Sequence, residues 1–303
     1  MKILVTGGAG FIGSHISTLL LDQGHEVLVY DNLSKSSTNS LDSRSLFIKG
    51  ELKDQEMLKK SLNGVDAVVH LASFIEVSES VKNPLIFAEN NILGSVSLLE
   101  AMRIANVKKI IFSSSACVYG TPKDLPVTER AEILPDNPYG ASKVAVESFL
   151  HTYHKLYGFD VVILRYFNPY GPGEMHKPET HAIPNFVKAA LNKEKIPLFW
   201  KGEQIRDFIY VKDLAFAHIA PLKLSGFNIF NVGSEKGIKV IDVLDDISDI
   251  LGYELDFEDL GERPGDISAI YASSKQFKEK TGWSAKVDLK EGLRRTIEWY
   301  RKS

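Results

Sequence analysis

The sequence has 303 residues, of which 44% are hydrophobic and 25% charged, a composition typical of one large α/β domain or two smaller ones. The net charge of -3 provides no global positive field for nucleic acid, and the longest apolar runs are shorter than the about 18–20 residues of a membrane helix. A single cysteine, Cys117, excludes an internal disulfide framework and a cysteine-rich metal site. The first glycine turn follows Met1–Thr6 directly, so we expect no signal peptide and predict a cytoplasmic protein.

Short β-branched runs alternate with amphipathic helical patterns through the first half of the chain. The predicted strands are Lys2–Thr6, Glu26–Tyr30, Ala67–Leu71, Lys109–Ser113 and Asp160–Tyr166. The predicted helices between them are Phe11–Gln23, Gln55–Leu62, Ile92–Ala105 and Ser142–Tyr157. This alternation predicts an α/β fold with a doubly wound parallel sheet, the Rossmann arrangement.

From Pro169 onward, prolines interrupt the alternation and the pattern becomes mixed. Two strand-like runs are expected to rejoin the first domain, Asp207–Val211 and Asn228–Val232. Helices return from about residue 240, most clearly at Ser273–Thr281 and Leu289–Arg301. We therefore predict a Rossmann domain over residues 1–168, rejoined by about 207–233, and a smaller mixed α/β substrate domain over 169–303.

A glycine-rich turn follows the first predicted strand and opens the first predicted helix. Gly8, Gly10 and Gly13 form a G-x-G-x-x-G pattern, and Gly7, Gly10 and Gly13 form a second pattern that overlaps it. Glycines allow backbone N–H groups to approach a diphosphate at a helix N-terminus, where the helix dipole favours negative charge. Asp31 follows the next strand, 18 residues after Gly13. A carboxylate there accepts hydrogen bonds from both ribose hydroxyls and repels a 2′-phosphate, so we predict NAD rather than NADP.

Tyr139 and Lys143 are four residues apart at the beginning of a long amphipathic pattern, so they face the same side of a helix. The pKa of a tyrosine must fall from about 10 to about 7 for it to act as a base, which corresponds to about 4 kcal/mol. One cation at ~4 Å supplies about that much at an effective dielectric constant of ~20. The pair therefore predicts a base, Tyr139, activated by Lys143, although Tyr139 taken alone fits a packing tyrosine equally well.

The serines of Ser113–Ser115 end a predicted strand at the sheet edge where this fold binds ligands. Their hydroxyls are candidates for contact with a substrate oxygen. The alternative is a serine-rich turn that caps its own backbone.

Together these residues resemble the NAD-dependent sugar-nucleotide epimerase/dehydratase family of extended short-chain dehydrogenase/reductases, and within it the 4-epimerases of UDP-hexoses. The resemblance covers essentially the whole chain. It rests on motifs in the family order, namely Thr6–His15, Asp31–Leu33, His70–Ala72, Asn90–Asn91, Ser113–Gly120, Tyr139–Lys143, Arg165–Pro169, Arg206–Phe208 and Arg263–Asp266.

The resemblance implies that NAD is the cofactor. It places the cofactor contacts at Gly7, Gly10, Phe11, Ile12, Gly13, Asp31, Asn32, Leu52, Leu71, Ala72, Asn90, Tyr139, Lys143 and Tyr166. Leu52 stands where the family contacts adenine, and Asn90 is expected behind Lys143. The family commonly forms homodimers through two long helices, which are Ile92–Ala105 and Ser142–Tyr157 in this chain.

The resemblance also implies a catalytic and a substrate-binding set. Tyr139 takes the proton of the sugar 4-hydroxyl, Lys143 holds the NAD ribose, and Ser115 hydrogen-bonds the same sugar oxygen. The implied contacts to the nucleotide are Asn168, Arg206, Arg263 and Asp266. The implied reaction is 4-epimerisation of a UDP-hexose, in which C4 is oxidised to a ketone, the sugar rotates, and hydride returns to its other face.

Several alternatives remain. Ala116 and Cys117 occupy the positions where dehydratases of the family carry an acidic pair, which argues against dehydration. UDP-glucuronate remains a possible substrate, and Ile270, in the position that gates the sugar pocket, leaves UDP-N-acetylglucosamine open. Ile75 replaces a lysine of the best-known members. Another NAD-dependent sugar-nucleotide oxidoreductase is a further alternative, and a non-catalytic dinucleotide-binding regulator is the remote one. The histidines show no metal-ligand spacing, so we predict no metal, no nucleic acid and no membrane partner.

Overall fold

The computed structural model describes residues 1–175, 181–261 and 267–303. A seven-stranded parallel sheet forms its centre. In chain order its strands are β1 (Lys2–Thr6), β2 (Glu26–Asp31), β3 (Leu46–Lys49), β4 (Ala67–His70), β5 (Lys109–Ser115), β6 (Asp160–Tyr166) and, after further strands described below, β11 (Phe227–Val232). Their order across the sheet is β11-β6-β5-β4-β1-β2-β3. The predicted doubly wound parallel sheet is therefore confirmed.

Helices cover both faces of this sheet. Along the chain they are α1 (Phe11–Asp22), α2 (Gln55–Ser61), α3 (Val77–Lys82), α4 (Pro84–Phe87), α5 (Gly94–Ile104), α6 (Pro138–Tyr157), α7 (Ala182–Asn192), α8 (Val211–Ile219), α9 (Val240–Leu251), α10 (Lys275–Thr281) and α11 (Leu289–Tyr300). A π-helical segment, Ala88–Leu93, joins α4 to α5.

Alternate residues of each central strand pack into two separate hydrophobic cores, because successive side chains of a strand point to opposite faces of the sheet. From β1, Ile3 and Val5 pack with α1 and α8 on one face. Leu4 packs with α2, α5 and α6 on the other face. The sheet is therefore buried on both sides, as parallel sheets are.

The remaining strands form three two-stranded sheets beside the central one. β7 (Asn168–Tyr170) pairs with β10 (Phe208–Tyr210), β8 (Ile196–Leu198) with β13 (Phe257–Asp259), and β9 (Ile205–Arg206) with β12 (Ile238–Lys239). α7, α9 and α11 pack around them in a third core. This second part of the molecule faces the carboxyl ends of the central strands across a cleft.

The segment from 207 to 233 returns to the first core in two ways. β11 pairs with β6 at the edge of the central sheet, and α8 packs against α1. The strand expected at Asp207–Val211 is the shorter β10, which pairs with β7 rather than with the central sheet. Phe277 and Trp283 from the C-terminal region also join the first core. The division of the chain at residue 168 stays a prediction.

Most predicted elements agree with the structure to within a few residues. α6 begins at Pro138, four residues before the predicted start, because Asn137 caps the helix by accepting a hydrogen bond from the Gly140 N–H at 2.8 Å. β3 was not predicted. It is a short edge strand with its first residue, Leu46, 57% exposed, so it lacks the buried apolar run by which the other strands were recognised.

Across the described ranges, no helix combines the length and the apolar character needed to span a membrane.

Candidate active site

The glycine loop between β1 and α1 forms the floor of the cleft. Gly7 has φ +69°, and a Cβ on Gly13 would lie 2.3 Å from the carbonyl oxygen of Gly7, so both positions require glycine. α1 begins after Gly10 with no side-chain cap and no acidic residue in its first turn. The positive end of the helix dipole is therefore directed at the cleft, which fits a diphosphate group.

Asp31, the last residue of β2, fixes the position of the loop that follows it. Its carboxylate accepts hydrogen bonds from the Ala9 N–H at 3.1 Å, the Leu33 N–H at 2.8 Å and the Ser36 hydroxyl at 3.0 Å. Asp31 is only 8% exposed and lines the cleft. The acidic residue expected to bind ribose is thus attached to the glycine loop itself, and the cleft fits an adenosine half at this end.

Tyr139 and Lys143 lie side by side in the first two turns of α6. Both are buried, with relative exposures of 8% and 2%. The Lys143 ammonium donates a hydrogen bond to the carbonyl of Ser113 at 2.8 Å and lies 5.7 Å from the centre of the Tyr139 ring. The structure therefore brings together the two side chains that the helical spacing predicted, at the carboxyl end of β5.

Burial dominates the electrostatics of this pair. It lowers the pKa of Lys143 to about 7, against the attraction of Glu147. Burial also raises the pKa of Tyr139, while the neighbouring Ser115 hydroxyl acts in the opposite direction. The lowering of the tyrosine pKa expected from Lys143 is absent from the polypeptide alone: burial raises that pKa, and the Lys143 ammonium bonds the Ser113 carbonyl rather than the phenol.

A buried ion pair lies one turn beyond Lys143. Glu147 accepts hydrogen bonds from Arg165 at 2.6 and 3.0 Å and from the Ser114 hydroxyl at 2.5 Å. Arg165 also donates to the Tyr119 hydroxyl at 2.9 Å. Sequence reasoning gave Glu147 no role, although its spacing from Lys143, four residues on one helix face, was a usable signal.

Asn91 connects the loop after β4 to α6. Its side-chain oxygen accepts a hydrogen bond from the Phe74 N–H at 2.8 Å. Its side-chain nitrogen donates to the Phe74 carbonyl and to the Ser142 hydroxyl, both at 3.0 Å. Asn90, the residue singled out from the sequence, lines the cleft and donates to the Asn91 side chain at 3.0 Å. Asn91 therefore positions the loop of Phe74 against α6, and nothing in the sequence distinguished it from the adjacent Asn90.

On the other side of the Tyr139 and Lys143 pair, Ser115 faces the cleft and caps a short 3-10 turn by accepting the Cys117 N–H at 3.2 Å. Ser115 therefore caps its own turn and also lies where a ligand in the cleft could reach it, while its contact with a substrate stays a prediction. Asn168 begins β7 and Arg206 ends β9, and both line the cleft. Ile270 packs in a buried apolar cluster with Ala116 and Phe167.

The cleft as a whole has a volume of about 1770 Å³. Every predicted site residue within the described ranges lines it, namely Gly7, Gly10, Phe11, Ile12, Gly13, Asp31, Asn32, Leu52, Leu71, Ala72, Asn90, Ser115, Tyr139, Lys143, Tyr166, Asn168 and Arg206. Arg263 and Asp266 lie outside the described residues. Within the described part of the chain, no group of three or more His, Cys, Asp or Glu side chains could hold a metal ion.

The doubly wound sheet and the glycine loop, to which Asp31 is hydrogen-bonded, define a dinucleotide-binding α/β protein. The buried Tyr139 and Lys143 pair in the same cleft is typical of an enzyme of this class. Comparison with known proteins makes this class more specific. The chain belongs to the NAD dependent epimerase/dehydratase family, whose model matches residues 3–233. The family predicted from the sequence motifs is confirmed.

Relatives and solved structures match over nearly their full length. The chain is 39% identical over 328 residues to the UDP-glucose 4-epimerase of Yersinia enterocolitica, covering 99% of this chain and 98% of that protein. The UDP-N-acetylglucosamine 4-epimerase of Methanobrevibacter ruminantium, solved with UDP-N-acetylmuramic acid, matches at 39% identity, TM-score 0.95 and coverage of 99% and 98%. The UDP-glucose 4-epimerase of Bifidobacterium longum, solved with NAD+ and UDP, matches at 33% identity, TM-score 0.94 and coverage of 100% and 99%.

Proposed function

We propose that this protein is an NAD-dependent isomerase that interconverts UDP-glucose and UDP-galactose by 4-epimerisation. The observation that carries the proposal is the buried Tyr139 and Lys143 pair at the carboxyl edge of the sheet, in the same cleft as the glycine loop. Family membership and relatives named UDP-glucose 4-epimerase support it.

The cofactor end of the cleft consists of three parts in this proposal. The N-terminal turn of α1 receives the diphosphate, and Asp31 accepts the adenosine ribose hydroxyls. Leu52, Leu71 and Ala72 provide apolar walls. Bound NAD supplies a hydride acceptor that is regenerated within each turnover. Residues that hold the diphosphate and the adenosine ribose firmly suit a coenzyme that stays bound between the two hydride transfers.

Tyr139 is the proposed acid–base group for the sugar 4-hydroxyl. It takes the hydroxyl proton as the C4–H bond breaks and returns it when the 4-keto sugar is reduced on its opposite face. Ser115 hydrogen-bonds the same oxygen, and Lys143 orients the nicotinamide ribose. Since burial raises the pKa of Tyr139, its phenol is protonated in the coenzyme-free protein. A positively charged nicotinamide ring beside the phenol would favour its ionisation.

The nucleotide of the substrate occupies the opposite wall in this proposal. Arg206 at the end of β9 and Asn168 at the start of β7 line that wall and contact the diphosphate, as a planar guanidinium suits. Arg263 and Asp266 keep their proposed roles towards the second phosphate and the ribose. Anchoring through the diphosphate leaves the hexose free to rotate between the two hydride transfers.

The test is to incubate the purified protein with UDP-glucose and measure UDP-galactose in the absence of any added reductant. Tyr139→Phe removes the proton-transferring hydroxyl and is expected to lower kcat by about 10²–10⁴ with little change in UDP binding. Tyr157→Phe, at the exposed end of the same helix, is the matched control and should keep full turnover. No conversion of any UDP-hexose by the wild-type protein would refute the epimerase proposal.

UDP-N-acetylglucosamine is the second candidate substrate. The specific observation in its favour is the likeness to the UDP-N-acetylglucosamine 4-epimerase of Methanobrevibacter ruminantium. Comparison of kcat/KM for the two UDP-sugars decides between them, because a pocket too small for the N-acetyl group would lower kcat/KM for the larger sugar by one or more orders of magnitude.

We also propose a cytoplasmic homodimer, with residues 1–168 and 207–233 holding the coenzyme. Large apolar side chains are exposed along the segment from α4 through α6, at Leu85, Ile86, Leu93, Ile104 and Leu156. Such a patch on neighbouring helices fits burial against a second copy. Light scattering at micromolar concentration tests this, and a mass near 33.8 kDa, that of a single chain, would contradict it.

A further inference from the structure

Lys35 and Glu76 form an ion pair between two loops at the cofactor end of the cleft. The Lys35 ammonium lies 2.9 Å from a carboxylate oxygen of Glu76. Lys35 belongs to the loop after β2 and Glu76 to the loop after β4, and β2 and β4 are the two neighbours of β1 in the sheet. The pair therefore joins the two sides of the crevice whose floor is the glycine loop, and both residues line the cleft.

Other contacts hold the loop of Lys35, orient the Glu76 carboxylate and add a second contact across the crevice. The loop carrying Lys35 is held by Asp31, which accepts the Leu33 N–H and the Ser36 hydroxyl. Glu76 accepts the N–H of Ile75 at 3.1 Å through its second oxygen. The Lys35 ammonium also lies 5.7 Å from the centre of the Phe74 ring.

Burial separates this pair from ordinary surface ion pairs. The Glu76 side chain is 4% exposed and that of Lys35 is 41% exposed. Burial by itself raises the pKa of Glu76, but the hydrogen bond from Lys35 and the neighbouring backbone N–H groups outweigh it and lower that pKa overall. The carboxylate is thus ionised at neutral pH, and removal of Lys35 would leave a buried charge without this counter-ion.

A second ion pair lies on the lining of the same cleft and provides a contrast. The Lys53 ammonium lies 3.7 Å from a carboxylate oxygen of Glu89, with side-chain exposures of 54% and 50%. Both side chains are solvated and the distance between their charged atoms is longer, so this ion pair contributes little to holding the two segments together.

We propose that Lys35 and Glu76 form a strap that closes over the bound dinucleotide and sets the rate at which it dissociates. The inference rests on the proposed function, in which NAD extends from Asp31 to Tyr139. Such a ligand must lie between the loop after β2 and the loop after β4, which are the loops that the pair connects. Dissociation then requires the pair to break first, and a slow dissociation keeps the coenzyme in place through both hydride transfers.

The experiment measures coenzyme release from the intact protein. The holoenzyme is loaded with radiolabelled NAD and chased with excess unlabelled NAD, and the retained label is followed with time. Lys35→Met retains the aliphatic stem but removes the charge, and Glu76→Gln retains a hydrogen-bond acceptor for Ile75. Each variant is expected to release the label roughly tenfold faster than the wild type, and the double variant no faster than either single variant.

Lys53→Met is the matched control and is expected to change the release rate less than about twofold. Release from Lys35→Met at the wild-type rate would overturn the strap, as would an equal acceleration in Lys53→Met. Because Lys35 is on an exposed loop, this variant remains informative even if Glu76→Gln fails to fold. A wild-type protein that binds no label at all would overturn the proposed coenzyme, and the strap with it.

Discussion

Replacing Lys143 by methionine is expected to stabilise the polypeptide while it removes the cation from the cleft. Burial lowers the pKa of Lys143 from 10.5 to about 7, so between these pH values the unfolded chain binds more protons at this site than the folded chain. The free energy of unfolding therefore rises with pH across that range. At about 1.36 kcal/mol per pH unit, the charged side chain costs up to about 5 kcal/mol below pH 7.

Removing the buried charge stabilises Lys143→Met, but part of this stabilisation is lost because methionine cannot donate a hydrogen bond to the Ser113 carbonyl, as Lys143 does at 2.8 Å. An unsatisfied buried carbonyl costs about 1–3 kcal/mol, so a net stabilisation of about 2–4 kcal/mol is expected at pH 6. The stabilisation should shrink as the pH rises above 7, since the wild-type lysine then folds in its neutral form.

Denaturant unfolding of the coenzyme-free wild type and variant at pH 6, 7.5 and 9 measures this difference directly. Bound coenzyme must be removed first, because it stabilises the folded state by mass action. Lys123→Met, at an exposed position, is the control for loss of a surface lysine and should change stability by less than about 0.5 kcal/mol. Parallel stability curves for the wild type and Lys143→Met between pH 6 and 9 would refute the reasoning.

Two further predictions concern the glycine loop and the buried ion pair. Gly13→Ala places a Cβ 2.3 Å from the Gly7 carbonyl oxygen, so the loop must shift, and calorimetric titration should show NAD affinity lowered by at least tenfold. Gly24→Ala, just beyond the other end of α1, has nothing within 4 Å of the added Cβ; its φ of +78° makes the variant less stable, but NAD affinity should be retained. Full NAD affinity in Gly13→Ala would contradict the role of the glycine loop in binding the diphosphate. Glu147→Ala leaves Arg165 buried and unpaired, so the free energy of unfolding should fall by about 3–5 kcal/mol in denaturant titration. A loss below about 1 kcal/mol would show that the pair is not a major stabilising interaction.

The parts of the site that were predictable from the sequence are those whose residues are close in the chain. The strand, glycine loop and helix of Lys2–Asp22 follow from a local pattern, because the loop geometry excludes side chains at Gly7 and Gly13. The pairing of Tyr139 with Lys143 follows from helical periodicity alone. Family motifs supplied the remaining cleft residues, since none of Asn168, Leu52 or Ala72 has a composition or spacing that marks it as a ligand contact.

The parts that escaped sequence reasoning depend on contacts between distant segments. The ion pair of Lys35 with Glu76 joins residues 41 positions apart on different loops, and neither residue belongs to a recognisable motif. β3 escaped because it has only four residues and none of them is fully buried, so its apolar run is too short to mark a strand. The raised pKa of Tyr139 escaped because it depends on burial of the side chain, which only the packed structure reveals.

The segment from Arg206 to Val211, which connects the two walls of the cleft, is short and held by hydrogen bonds. Arg206 on the nucleotide wall is five residues from Val211, where α8 begins its packing against α1. Between them, the buried carboxylate of Asp207 accepts the N–H groups of Ser234, Glu235 and Ala272 and the Ser234 hydroxyl. The nucleotide wall at Arg206 is therefore held close to α8 and, through the packing of α8 on α1, to the glycine-loop side of the cleft.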